Sequence, residues 1–213
     1  MLLIILGIII SYLVGSIPTA YIFGKLLKGI DIRKFGSGNV GATNALRVLG
    51  KPAGISVLAI DMLKGFIAVV VVGSFISRDA ANIPSETLTI ALGLSAICGH
   101  VWTVFLKFKG GKGVATTFGV LLGLSIKIAG LKLVLGLLIL TWFLVFILLR
   151  IVSIASVVSG IALPIYALIF QQSFAVVIAS LLISIFILIR HKSNLARFFQ
   201  GKEPKLSFKK QKP

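Results

Sequence analysis

Three stretches of this 213-residue chain carry residue types suited to holding a phosphate. The first reads Gly36-Ser37-Gly38-Asn39-Val40-Gly41-Ala42-Thr43-Asn44-Ala45-Leu46-Arg47. Glycines let backbone N–H groups close on an anion, and an arginine can clamp it with two parallel bonds. Ser37, Asn39, Thr43 and Asn44 add side-chain donors, so with Gly36, Gly38, Gly41 and Arg47 they form a phosphate cradle. The second stretch is Phe108-Lys109-Gly110-Gly111-Lys112-Gly113-Val114-Ala115-Thr116-Thr117. Its glycines surround Lys112 at the start of an apolar run. A helix N-terminus there would present unpaired N–H groups and the positive end of its dipole, making Gly110, Gly111, Lys112 and Gly113 a second anion site. The third stretch runs from Arg190-His191-Lys192-Ser193-Asn194 through Arg197 to Gly201-Lys202-Glu203. Continued as a helix, it sets His191, Asn194 and Arg197 three residues apart on one face.

Plainer readings stand beside these: a polar interhelical turn, a basic flexible loop and a headgroup anchor. Two enzyme signatures are near misses. Gly36–Gly41 fits G-x-G-x-x-G literally, but an apolar run and a charged linker precede it instead of the strand of a βαβ unit. The lysine loop fails G-x-x-x-x-G-K-[ST], because position 106 is Leu and Gly113 follows the lysine.

The elements that must position these stretches are membrane-spanning. Apolar residues make up 58% of the chain, with several runs of about 18 or more, enough for a helix to cross about 30 Å of hydrocarbon. Lipid offers no partners to a bare backbone, so such runs must be helical. The expected fold is all-α and polytopic, with seven transmembrane helices near 2–24, 53–76, 87–106, 114–131, 133–149, 152–170 and 174–189. Met1–Leu27 is read as a mature span, since it lacks a basic n-region and an A-x-A cleavage site. Cys98 alone makes no disulfide framework.

Charge orients the helices. The net charge is +17, from 22 Lys and Arg against five acids. On a soluble chain this would suggest nucleic acid; here the cations follow the positive-inside bias. Seven spans with the N-terminus outside leave only Arg78, Lys127 and Lys132 on the outer side. Lys64 falls inside a span, and every other cation lies on the cytoplasmic side. All three polar stretches then face the cytoplasm, as does the C-terminus, and residues 204–213 are expected to be a disordered basic tail.

Within the spans, Asp61 and Lys64 are i, i+3 neighbours at a depth where charges are costly, and are read as an ion pair bracing the site. His100 is a supporting residue bonding a neighbouring helix. Arg150, Ser153 and Ser156 share a face of the sixth span, with Arg150 at its cytoplasmic mouth, where it could reach an anion. No metal-ligand cluster, no G-x-S-x-G elbow and no His-x4-Asp pair is present. A site rich in phosphate binders and poor in bases points to substrates that bring their own leaving group.

With these residues in view, the chain resembles the integral-membrane acyl-phosphate:glycerol-3-phosphate acyltransferases of bacterial phospholipid synthesis. The resemblance rests on GSGNVGATNALR (36–47), FKGGKGVAT (108–116), HKSNLARFFQGKE (191–203), Asp61-x-x-Lys64-Gly65 and Gly99-His100. Thr103 departs from it, where the family usually has a proline. The resemblance implies one transmembrane acyltransferase domain over 1–213, in the bacterial inner membrane. It also implies acyl transfer from acyl phosphate to the 1-hydroxyl of glycerol 3-phosphate, giving lysophosphatidic acid and inorganic phosphate. By carry-over, Ser37, Lys112, His191 and Asn194 are catalytic. Arg47, Arg150, Ser153 and Arg197 join the glycine loops as phosphate or substrate ligands. The proton acceptor is either His191 or a phosphate oxygen of the substrate. No metal, cofactor, nucleic acid or obligate protein partner is expected, only the bilayer and two phosphate substrates.

Two other classes compete. An organophosphate or phosphate transporter would use the same loops, but needs polar residues through both halves of the membrane, and the outer half here is nearly featureless. A scaffold held on anionic lipid needs the cations but not the glycines around Ser37 and Lys112.

Overall fold

The computed structural model describes residues 1–77 and 85–206, and these form helices and connectors with no strand among them. Arg78, Lys209, Lys210 and Lys212, which entered the charge count, lie outside the described residues, as does most of the expected tail. Five helical stretches among the described residues are long and apolar enough to cross a membrane: Leu2–Lys28, Lys51–Ile76, Ser85–Leu106, Leu131–Leu149 and Val152–Ile169. A sixth is Phe174–Arg190 together with Lys192–Phe199, bent by 58°. The expected fourth span is a shorter helix of 14 residues, Val114–Lys127.

The chain divides into two compact units, Met1–Leu131 and the part from Lys132 onward. The first unit opens with α1 (Leu2–Ser16) and α2 (Thr19–Lys28), separated at Ile17–Pro18. Proline lacks the N–H that would continue the ladder and its ring crowds the preceding turn, so the run expected to be one helix over 2–24 breaks there. After the 3-10 turn Ile32–Lys34 come α3 (Ala42–Leu49) and α4 (Lys51–Ile67). A π-helical turn, Ala68–Val72, carries α4 into α5 (Gly73–Ser77); α6 (Ser85–Val101) and α7 (Val114–Lys127) complete the unit.

Small residues set the helix contacts. α1 lies against α6 where Gly15 meets the Ala96 carbonyl and Gly99 meets the Tyr12 carbonyl. α4 packs on α7 with Gly119 against the Met62 carbonyl. A Cβ at any of these glycines would collide with backbone. Lipid tails are as apolar as leucine, so close backbone approach is what membrane helices use to associate.

The second unit holds α8 (Leu131–Leu149), α9 (Val152–Ile169), α10 (Phe174–Arg190) and α11 (Lys192–Phe199). α9 packs on α10, with Gly160 against Ile187. α8 is stitched to α9 by a Thr141–Tyr166 hydroxyl bond of 2.8 Å and by Trp142 Nε1 donating to Ser156 Oγ at 3.3 Å. Pro204–Leu206, the start of the expected disordered tail, is tied down: the Leu206 N–H donates to the Arg150 carbonyl at 2.7 Å.

Candidate active site

In the first unit, the Gly36–Arg47 segment is a compact loop closed from within. Gly36 and Gly38 take φ of +59° and +71°, a region open to glycine, and Gly41 caps α3. Asn44, 1% exposed, is the organiser. Its Oδ1 accepts the Ser37 N–H at 2.8 Å, and its Nδ2 donates to the carbonyls of Asn39, Phe35 and Ile32 at 3.0, 3.1 and 3.3 Å. This corrects the reading of Asn44 as a phosphate ligand: its amide is consumed by the loop. What the loop presents is the exposed Ser37, the half-buried Thr43, and the first N–H groups of α3, for which the helix has no acceptor.

The loop is fastened at both ends. Asp31 caps the 3-10 turn by accepting the Arg33 N–H and is gripped by the Arg33 guanidinium, with Nη2 at 2.7 Å. Those bonds, with the Arg33 charge, lower the Asp31 carboxyl to about 2. The Arg33 guanidinium also lies over the Tyr21 ring, 5.2 Å from its centroid. At the far end, Lys28 Nζ donates to the Val48 carbonyl at 2.6 Å, holding the last turn of α3, from which Arg47 projects. A cation at a helix C-terminus also complements the dipole.

The Gly110–Gly113 loop is seated on α6. The Gly110 N–H donates to the Val101 carbonyl at 3.1 Å and the Gly111 N–H to the His100 carbonyl at 3.0 Å. These two amides are therefore not the anion donors that the sequence suggested. Gly113, at φ +79°, caps α7, leaving Lys112 immediately ahead of the helix N-terminus. α6 ends at Val101, and Thr103 caps the 3-10 turn Val104–Leu106.

Beneath the loops lies a buried polar cluster around the first-unit break. Asp61 and Lys64, 1% and 3% exposed, form the ion pair at 2.6 Å. Asp61 Oδ1 also accepts the Thr19 hydroxyl at 2.9 Å and lies 3.9 Å from His100 Nδ1. The carbonyls at the break are bonded: Ile17 O accepts from the Thr19 N–H at 3.0 Å and from Lys64, and Ser16 O accepts from Thr103 Oγ1 at 2.5 Å. Val40 of the first loop and Gly110 and Gly111 of the second line one cavity with His100, Thr103 and Ser16–Thr19. Its volume is about 10 Å³, room for about one water. The first two motifs thus meet above one polar core.

In the second unit, the helix expected to run on through the third motif bends at His191. The His191 N–H bonds the Ile187 and Leu188 carbonyls, and its Nδ1 donates to Ile187 O at 2.8 Å. A carbonyl can only accept, so Nδ1 holds the ring proton and Nε2 is the nitrogen able to take another. Asn194 and Arg197 do share a face of α11, and both reach Glu203. Asn194 Nδ2 donates to Glu203 Oε1 at 2.5 Å and Arg197 Nε to Oε2 at 2.8 Å. Ser153 Oγ, at the start of α9, donates to the same Oε1 at 2.7 Å. Burial pushes the Glu203 carboxyl up, but the bonds from Asn194, Ser153 and Arg197 and the Arg197 charge outweigh it, and the net shift is downward.

The chain reversal that aims Glu203 back onto α11 is a Schellman turn. Gly201 is left-handed at φ +67°, its N–H bonds Phe198 O, and the Lys202 N–H bonds Arg197 O. The sequence reading missed Glu203, Thr19 and the hydroxyl of Thr103 as partners. For Glu203 the signal was there: one of only five acids in a basic chain, two residues after a glycine.

Among the described residues, long apolar helices carry glycine loops over a buried polar core and a carboxylate-centred cluster, an arrangement that suits an integral membrane protein. The comparisons narrow the class. Residues 5–201 match the family model for glycerol-3-phosphate acyltransferase. The glycerol-3-phosphate acyltransferases of Staphylococcus aureus strains Newman and JH9 are each 43% identical over 208 residues, 97% of this chain and 100% of theirs. The crystal structure of PlsY (YgiH), an integral membrane glycerol 3-phosphate acyltransferase in its glycerol 3-phosphate form, is 35% identical, with a TM-score of 0.83 over 96% of both chains. Its lysophosphatidic acid form is 34% identical, with a TM-score of 0.80 over 96% of this chain and 95% of that one. The chain belongs to the glycerol-3-phosphate acyltransferase family of phospholipid biosynthesis.

Proposed function

We propose that this protein transfers a fatty acyl group from acyl phosphate to the 1-hydroxyl of glycerol 3-phosphate, giving lysophosphatidic acid and inorganic phosphate. The observation that carries the reading is the pair of glycine loops meeting over one polar cavity in the first unit, on a chain of this family. Similarity to a relative solved in glycerol 3-phosphate and lysophosphatidic acid forms supports the acceptor and the product. Acyl phosphate is a mixed anhydride with a stable leaving group. The glycerol oxygen bonds the carbonyl carbon, the bond from that carbon to the phosphate oxygen breaks, and phosphate departs with the electron pair. No covalent enzyme intermediate is required, so orientation and charge stabilisation supply the rate.

In this reading Ser37, Arg47, Lys112 and the first N–H groups of α3 bind phosphate. In the second unit His191 and Asn194 orient glycerol 3-phosphate, helped by Ser153 and Arg197, and Arg150 attracts anions. The hydroxyl proton passes to His191 Nε2 or to a substrate phosphate oxygen. The protein acts as a single transmembrane acyltransferase domain in the bacterial inner membrane, with seven crossings, N-terminus outside and site on the cytoplasmic face. α7 counts as the fourth crossing. Its 14 residues reach about 21 Å, and lysines at positions 112 and 127 can extend it by snorkelling to the interfaces.

The test is release of inorganic phosphate by the purified protein in detergent, given acyl phosphate and glycerol 3-phosphate. Release should require both substrates, and acyl-CoA or acyl carrier protein thioesters should be inert. No release from acyl phosphate would overturn the reading. His191→Ala separates the two proton acceptors: loss of turnover marks histidine as the base, and residual kcat with raised KM for glycerol 3-phosphate marks the substrate.

A further inference from the structure

The buried cluster of the first unit does more than neutralise a charge. Four side chains converge on the chain break and on Asp61, and one of them, His100, extends to the lysine loop. The His100 ring lies directly against Gly111: a Cβ on that glycine would strike Nε2 and force the ring to shift. The Gly111 N–H is bound to the His100 carbonyl, and the next bond of the loop is to Val101. His100 thus holds the Gly110–Gly111 segment by side chain and backbone at once. Its other ring nitrogen faces Asp61 at 3.9 Å. Asp61 is itself fixed by the Thr19 hydroxyl from α2 and the Lys64 ammonium from α4.

We propose that His100 is a positioning residue that sets the phosphate affinity of the Lys112 loop, with Asp61, itself held by Thr19, biasing its ring through charge. The chain Thr19–Asp61–His100–Gly111 is contiguous and buried, with Thr19, Asp61 and His100 at 4%, 1% and 8% exposure. Gly111 stands one residue before Lys112 and two before the cap of α7. A tilt of the imidazole moves the backbone that aims both the lysine and the helix N-terminus. The break at Ile17–Pro18 explains why this network exists. It opens the Ser16 and Ile17 carbonyls to side-chain donors, and it turns the Thr19 hydroxyl toward Asp61. The break therefore positions the catalytic loop although it touches no substrate.

The inference relies on the acyl-phosphate reading for its kinetic readout only. His100→Ala, His100→Gln, Thr19→Val and Thr19→Ser are compared with wild type in detergent by phosphate release, with KM measured for both substrates. His100→Ala should raise the KM of at least one phosphate substrate by about tenfold while kcat stays within about threefold. His100→Gln, which keeps a polar nitrogen, should recover part of the loss. Thr19→Val should raise the same KM by a smaller factor, and Thr19→Ser should restore it. A loss carried mainly by kcat would overturn the proposal by making His100 a reacting group. A lowered melting temperature with wild-type kinetics would overturn it by making the cluster packing alone. If His100→Ala does not fold, the Thr19 pair decides between the same outcomes. Calorimetric titration with inorganic phosphate reads the loop without turnover: weaker binding to His100→Ala supports the proposal and unchanged binding refutes it, even if wild type proves inert toward acyl phosphate.

Discussion

Two buried carboxylates organise this protein, one in each unit, and they are used differently. Asp61 gathers Thr19, Lys64 and His100, each from a different helix and none of them exposed. Glu203 gathers Ser153, Asn194 and Arg197, the residues proposed to hold substrate, and lies on a short tail segment beyond a Schellman turn. Asp61 works from below, where its loss leaves an ammonium stranded among apolar helices. Glu203 works beside the ligands themselves, satisfying their donors and fixing their rotamers. Both carboxylates support residues proposed to serve anionic substrates while carrying the same negative sign as those substrates. A carboxylate that fully engages its donors can order a cationic site without neutralising all of it, since Arg197 keeps N–H groups beyond the one given to Glu203.

Removing the acids separates the two cases. Asp61→Ala should have the largest effect. An unpaired Lys64 at 3% exposure costs on the order of 3–5 kcal/mol, seen as a large fall in melting temperature in detergent. Asp61→Asn should be milder, because the amide oxygen still accepts from Thr19 and Lys64. Glu203→Gln should follow, at about 1–2 kcal/mol, since the amide keeps one of the two acceptor oxygens and half-exposed Arg197 is screened by water. Its signature is kinetic: a raised KM for glycerol 3-phosphate, as Asn194 and Ser153 lose their fixed rotamers. Equal kinetic losses in the two variants would erase the distinction.

Acid reads the tail side of the contrast. The Glu203 carboxyl is net depressed when folded, so its contribution is present above the ordinary glutamate range and is lost as pH falls through its folded value. Asp31, lowered to about 2 by Arg33, behaves likewise and loses its contribution between about pH 4 and 2. The melting temperature of wild type should therefore fall on acidification, and that of Glu203→Gln should fall less. Parallel curves would show that Glu203 contributes nothing. The smallest effect belongs to Lys28→Met. It removes the bond to Val48 O at an exposed position and should cost about 0.5–1 kcal/mol, with a slight loss in phosphate affinity through the α3 turn bearing Arg47.

What the sequence could show was local. The Gly36–Arg47 and Gly110–Gly113 stretches read as tight loops because glycine at left-handed positions and ahead of a helix is a short-range signal. Asp61 and Lys64 read as a pair because three residues is one helical turn. What it could not show was distant. Thr19 reaches Asp61 across 42 positions, Ser153 reaches Glu203 across 50, and Thr103 reaches Ser16 across 87. No periodicity encodes such partners. Asn44 is the instructive miss. Its residue type suits an anion ligand or a loop organiser equally well, and only its burial distinguishes them. Pro18 was visible, yet an apolar run in a membrane protein tolerates proline, so the break at Ile17 and the carbonyls it frees became evident only with Lys64 and Thr103 in place.

The central claim concerns which bond of the donor breaks. Acyl phosphate carrying ¹⁸O in its bridging position, incubated with glycerol 3-phosphate and the purified protein, tests it directly. Attack at the carbonyl carbon predicts one released phosphate per lysophosphatidic acid, with the label wholly in the phosphate. Label retained in a released fatty acid, with a doubly phosphorylated glycerol as the second product, would mean phosphoryl transfer and would contradict the account.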